Sequence, residues 1–268
     1  VTLALSELGF VFIAGLLTAC ATGIGALPFF FVDDLNVRWN VALWGVASGI
    51  MLSASVFGLL SEGLANGAAV DLAVGLVAGV LLVVAAHALI EGYDVHPRKY
   101  EEASYRKLLL ILGVLTVHSF PEGVAVGVSF AEFGLTGADT VPVLGVGVPV
   151  LAAFMTVAIS IHNVPEGVAV SIPLRSMGVP NWKLVWWAVF SSLPQPIGAV
   201  VAFSFVSVAR DLVAAGFGFA AGAMIYLVVS EFVPEALDLG RSLPGRGRRE
   251  LLFGLAVGFA LMIPLAFV

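Results

Sequence analysis

Cysteine is nearly missing from this chain, charge is scarce, and polar stretches between its apolar runs are few, the clearest being YDVHPRKYEEASYRK at 93–107. A single cysteine in 268 residues, Cys20, excludes any disulfide within the chain. Its place inside an apolar stretch makes it a packing residue. Charged residues amount to 11% against 60% apolar ones, and the mean hydropathy is +1.07. Such a balance excludes a soluble globule and marks a polytopic membrane protein. No basic segment precedes the first apolar stretch, which is also too long for a cleaved signal sequence. The net charge of −6 offers no footing for nucleic acid. Little is left over for a soluble domain, so the chain reads as one integral-membrane domain over 1–268.

What is present is a series of apolar runs. A membrane span needs about 20 mostly apolar residues, and eight candidates fall near 8–32, 41–60, 70–90, 107–131, 144–172, 184–208, 212–235 and 251–268. The expected fold class is therefore all-α. Eleven of the twelve basic residues fall in the loops after spans one, three, five and seven, leaving Arg210 on the other side. Cytoplasmic loops are enriched in Lys and Arg, so both termini are expected outside a cell membrane. The opposite loops carry Glu62, Asp71, Glu132, Asp139 and Asp211, whose charge would gather cations or simply be solvated.

Two copies of one motif stand inside these apolar runs. Residues 118–126 read HSFPEGVAV and residues 162–170 read HNVPEGVAV, identical at seven of nine positions. Each puts a histidine and a glutamate four residues apart, on one helix face. Ionisable groups in lipid are expensive and mark functional sites by default. Consecutive spans run antiparallel, so His118 and His162 both fall about 15 Å from the cytoplasmic surface at 1.5 Å per residue. Convergence of a repeat at mid-depth is the arrangement of a transport site. A lone histidine in a span is more often an interhelical hydrogen-bonder, but packing does not require the same spacing twice at one depth. His118, Glu122, His162 and Glu166 are thus the candidate metal ligands, able to hold zinc, with cadmium, iron, manganese and cobalt also feasible.

Pro121 and Pro165 should kink spans four and five by freeing the carbonyls of Val117 and Ile161. Gly123 and Gly167, directly after the glutamates, allow close helix approach. Beside the histidines stand Ser119 and Asn163, and span six offers Gln195 between Pro194 and Pro196. These three are ligand candidates or donors that orient the carboxylates. Nearer the cytoplasm, His87 and Glu91 end span three, and Glu231 and Glu235 end span seven at similar depth. They read either as an exit relay, with His96 in the next loop, or as ordinary interfacial charge.

At these residues the chain resembles the ZIP (Zrt/Irt-like protein) family of divalent-metal transporters, most closely its prokaryotic and GufA-like members. The likeness covers essentially the whole chain. It rests on the paired motifs His118–Gly123 and His162–Gly167, supported by Thr22–Pro28, Leu193–Ala199 and Ser230–Leu237. The resemblance implies a 3+2+3 helical bundle in which spans one to three and six to eight form an inverted pseudo-repeat around spans four and five. It also implies two adjacent metals bridged by the motif glutamates. The first would use His118, Glu122, His162 and Glu166; the second would use Glu122, Glu166, Asn163, Ser119 and Gln195. Family members often have Asn and Glu where this chain has Ser119 and Gln195, which leaves the second position less charged.

The leading expectation is a transporter carrying zinc or a related dication into the cytoplasm. The alternatives are a metal-dependent intramembrane hydrolase and a membrane sensor whose metal never moves. Against the hydrolase, HExxH is absent and no spare base accompanies the paired glutamates. The metal ions and the lipid bilayer are the expected partners, and a homodimer stays open.

Overall fold

The apolar runs fold as eight helical segments in the computed structural model, which describes residues 5–32, 36–91, 119–135, 137–176 and 178–263. In chain order these are α1 (Leu5–Ile24), α2 (Val37–Ala65), α3 (Ala69–Glu91), α4 (119–129), α5 (Val150–Ser176), α6 (Asn181–Val208), α7 (Arg210–Ser242) and α8 (Arg248–Leu261). Six of them are long and apolar enough to cross a membrane. The chain is an all-α multi-pass membrane protein. His118 and His96 lie outside the described residues, as does the side chain of Glu91.

One small sheet was not anticipated. Strands β1 (Thr140–Val143) and β2 (Val146–Pro149) form an antiparallel hairpin, so α5 begins at Val150 instead of near 144. Alternating valines bracket Leu144 and Gly145, which both take positive φ (51° and 81°). Two such residues make the tight turn that matches strand twist.

Irregular backbone also falls at places the sequence did not point to. α5 is continuous helix through Pro165. α6 breaks at Ser192–Leu193 and restarts at Pro194, whose missing N–H is harmless in a first helical turn. α2 and α7 each carry a π-helical stretch, Ala54–Leu60 and Val228–Phe232. Short π insertions inside α-helices are rare and gather at functional sites.

Small residues let the helices approach closely. α2 packs along α8 and α3 along α7. A Cβ on Gly45, Gly49, Gly254 or Gly258 would strike the partner helix's main chain in the first pair, and one on Gly75, Gly79, Gly218 or Gly222 would do so in the second. In lipid there is no hydrophobic drive between helices, so such contact by van der Waals packing holds the bundle. Around the middle, α1 packs on α5 and α6. A Cβ on Gly167 would stand 1.8 Å from the Thr22 carbonyl oxygen, and one on Gly123 would stand 2.2 Å from the Gln195 carbonyl oxygen. The α1–α5 and α4–α6 main chains therefore touch at the residues that directly follow the motif glutamates. Apolar side chains such as Ile13, Leu17, Val77, Leu81, Val157 and Phe205 point outward from the bundle.

Candidate metal centre

Four helices deliver polar groups to one buried place. α5 presents His162 and Glu166 from one face, with Asn163 beside them. α4 brings Ser119 and Glu122, and the first turn after the α6 break brings Gln195. α1 contributes Thr18. All of these side chains are buried, Glu122 and Glu166 being only 1% and 3% exposed.

The ligand atoms of Glu122, His162 and Glu166 lie within 4.8 Å of one another. His162 Nε2 is 3.0 Å from Glu122 Oε1. Two ligands of a tetrahedral zinc with bonds of about 2.0–2.1 Å stand roughly 3.3 Å apart, so this spacing suits a shared cation. His162 Nδ1, Asn163 Oδ1 and Glu166 Oε2 are buried without a hydrogen-bond partner among the described residues. Two carboxylates facing one imidazole in a low-dielectric interior lack the positive charge that burial demands, and a dication would supply it.

The remaining amides are fully engaged on one side. Gln195 Nε2 donates to Glu122 Oε2 at 2.5 Å. Asn163 Nδ2 donates to the Thr18 carbonyl at 2.7 Å and to Gln195 Oε1 at 3.0 Å. The Thr18 hydroxyl is 2.7 Å from both Gln195 Oε1 and the Gly15 carbonyl. One turn further along α1, the Thr22 hydroxyl meets that of Ser192 at 2.8 Å, beside the α6 break.

Thr18 was missed by reading the sequence. The available signal was the pair Thr18 and Thr22, one turn apart on an otherwise apolar helix. Phe232 was missed as well. Its ring lies against the His162 imidazole, with centroids 5.6 Å apart and planes 15° from parallel. Trp44 meets the same phenyl ring edge-on at 4.8 Å. Nothing local in the sequence around Phe232 indicates that contact.

Away from this centre, His87 of α3 pairs with Glu231 in the π stretch of α7. Both are about a quarter exposed, at 25%. The structure thus joins one residue from each of the two inner candidate pairs. Glu235 lies one turn beyond and is half-buried.

Comparison with known proteins agrees with this picture. The family model described as ZIP Zinc transporter matches residues 148–266. The zinc transporter ZIPB of Bordetella bronchiseptica is 34% identical over 275 residues, covering 96% of this chain and 80% of that protein. The zinc transporter GufA of Myxococcus xanthus is 29% identical over 272 residues, covering 94% and 96%. A protein of Arabidopsis thaliana, provisionally named as a zinc transporter, is 39% identical over 219 residues. The chain spans about a third of that plant protein's length (33%). The matched family is one of transporters, which sets the hydrolase alternative aside. With ZIPB matched over most of both lengths, the chain belongs to the ZIP family of zinc transporters, in its prokaryotic type.

Proposed function

We propose that this protein carries zinc across the cell membrane into the cytoplasm, through the centre held between α4 and α5. One observation carries the reading: Glu122, His162 and Glu166 bring ligand atoms from two helices within 4.8 Å of each other in a buried place. His118 would complete the set from the other motif copy, with Asn163 contributing through Oδ1. Cadmium, iron, manganese and cobalt are further substrates of the same donor chemistry.

The surrounding architecture is an inverted 3+2+3 bundle in this reading. Its support is the pairing of α2 with α8 and of α3 with α7, which an exchange of the two outer triplets leaves unchanged. The match of a π stretch in α2 with one in α7 supports it further. The outward-facing apolar side chains meet lipid in this reading, and the basic loops support an orientation with both termini outside. His87 and Glu231, exposed toward the cytoplasmic end, accept the ion as it leaves. A homodimer is compatible with this arrangement.

The test is zinc flux into sealed proteoliposomes. The protein as it stands should load zinc, and Glu122→Ala/Glu166→Ala should not. Flux from the double variant equal to that of the unaltered protein, at matched protein level, removes the centre from the transport path.

A further inference from the structure

Gln195 appears among the ligand candidates because an amide between two prolines at mid-span is unusual. Its surroundings give it a different task. The Thr18 main-chain carbonyl can only accept, so Asn163 must turn its Nδ2 toward it, at 2.7 Å. That same Nδ2 stands 3.0 Å from Gln195 and requires an acceptor there, which fixes Gln195 Oε1 on this side. The Thr18 hydroxyl donates to the same Oε1 from 2.7 Å, sharing its one hydrogen with the Gly15 carbonyl. The amide oxygen thus faces two donors, Asn163 Nδ2 and the Thr18 hydroxyl. The other end of the amide, Nε2, then faces Glu122 Oε2 at 2.5 Å.

The amide thus has no oxygen left for a metal, and it presents N–H to a carboxylate. A hydrogen bond donated to an ionised carboxylate is about twice as strong as one between neutral groups. The contact does for Glu122 part of what a cation would do. Asn163 is in the opposite state, since its Oδ1 is buried without a partner among the described residues. The two amides are therefore not equivalent, although the sequence makes both look like ligands.

We infer that the centre takes a single cation, because the Gln195 amide, locked by Thr18 and Asn163, stands in place of a second one beside Glu122. Gln195 and Thr18 are positioning residues: one holds the Glu122 carboxylate, the other holds Gln195. Replacing Gln195 by glutamate would bring two carboxylates to hydrogen-bond distance, an arrangement that repels unless a proton or a second cation joins them. This inference rests on the metal-transport reading above.

Zinc-edge X-ray absorption of the purified, zinc-loaded protein reads the difference directly. The unaltered protein should show light-atom ligands around zinc and no zinc–zinc vector. Gln195→Glu should add a vector of about 3.5–4 Å, the usual separation of a two-metal site. A zinc–zinc vector in the unaltered protein overturns the inference, as does its absence from both proteins. Thr18 provides a second, milder handle. Thr18→Ser keeps hydroxyl and carbonyl and should bind zinc as before. Thr18→Val keeps the shape but loses the hydroxyl, and should bind about tenfold more weakly. Equal affinity in the serine and valine variants would also overturn the lock. Failure of the transport reading itself looks different: zinc flux would persist in Glu122→Ala/Glu166→Ala whatever the number of zinc ions bound.

Discussion

The Phe232 ring lies nearly parallel to the His162 imidazole, 5.6 Å between centroids. Phe232 ends the π stretch of α7, and its neighbour Glu231 pairs with His87. One short irregular segment therefore touches the candidate centre with one residue and supplies half of the His87–Glu231 pair with the next. Neighbouring side chains on a helix point about 100° apart, which is how two adjacent residues reach two separate polar groups. Removing the ring should loosen the imidazole. Stacked rings contribute about 0.5–1.5 kcal/mol beyond burial, so Phe232→Leu should weaken zinc binding roughly two- to tenfold. Phe232→Tyr should stay near the original value. Calorimetric zinc titration of both variants checks this.

Glu166 should show opposite signs in stability and function. Its carboxylate is buried opposite Glu122, and Oε2 has no partner among the described residues. Glu166→Gln removes a buried charge while keeping the shape, so the zinc-free protein should gain about 1–3 kcal/mol. The same change should abolish zinc flux. Thermal unfolding in detergent with chelator, set beside proteoliposome flux, checks both halves. A variant that is less stable and still transports contradicts the electrostatic picture.

Acid should weaken binding. Imidazole ligates only when neutral and carboxylates only when ionised, so protons and zinc compete for the same atoms. Zinc affinity should fall steadily as pH is lowered from 7.5 to 5, and binding should release protons. Titrations in buffers of different ionisation enthalpy count those protons. Affinity that is flat across this range would argue against His162 as a ligand.

Gly167→Ala should be severe where Gly9→Ala is mild. A Cβ at 167 would meet the Thr22 carbonyl at 1.8 Å, whereas nothing lies within 4 Å of one at position 9. The first change must separate α1 from α5, drawing Thr18 away from Asn163, and overpacking of this kind costs about 1–3 kcal/mol or more. Expression level, melting temperature and zinc affinity should all fall for Gly167→Ala and stay close to normal for Gly9→Ala.

The inner pair should affect release and not capture. Glu231→Gln removes the charge that His87 meets, without touching Glu122 or Glu166. The maximal zinc flux should drop several-fold while equilibrium affinity at the centre stays within about twofold, since distant sites behave additively. A large loss of central affinity instead would place Glu231 in the centre itself.

Local sequence carried a great deal here. Apolar run length pointed to the six helices long and apolar enough to cross a membrane among the described residues, because lipid leaves a spanning chain little choice but helix. A repeated His-x-x-Pro-Glu named Glu122, His162 and Glu166 as one cluster, because four residues make one helical turn. The glycines after each glutamate announced close helix contact before the main chains that meet there were known. Pro121 and Pro165 were read from the same stretch as kinks, and α5 is continuous helix through Pro165. An outright break falls at Ser192–Leu193, where two further prolines follow, and the π stretches fall in α2 and α7. No local rule foretells those, since they are settled by how neighbouring helices pack.

The amide network lay beyond the sequence for a similar reason. Gln195 and Asn163 carry the same functional group, and spacing treats them alike. Only the tertiary structure brings the Thr18 carbonyl and hydroxyl from α1 to decide which oxygen is consumed and which stays open. Residue type and period therefore determined the long apolar helices and the donor chemistry of the candidate centre. Hydrogen bonds between distant helices decided the direction each donor faces, because an amide has two chemically opposite ends and nothing within its own helix chooses between them.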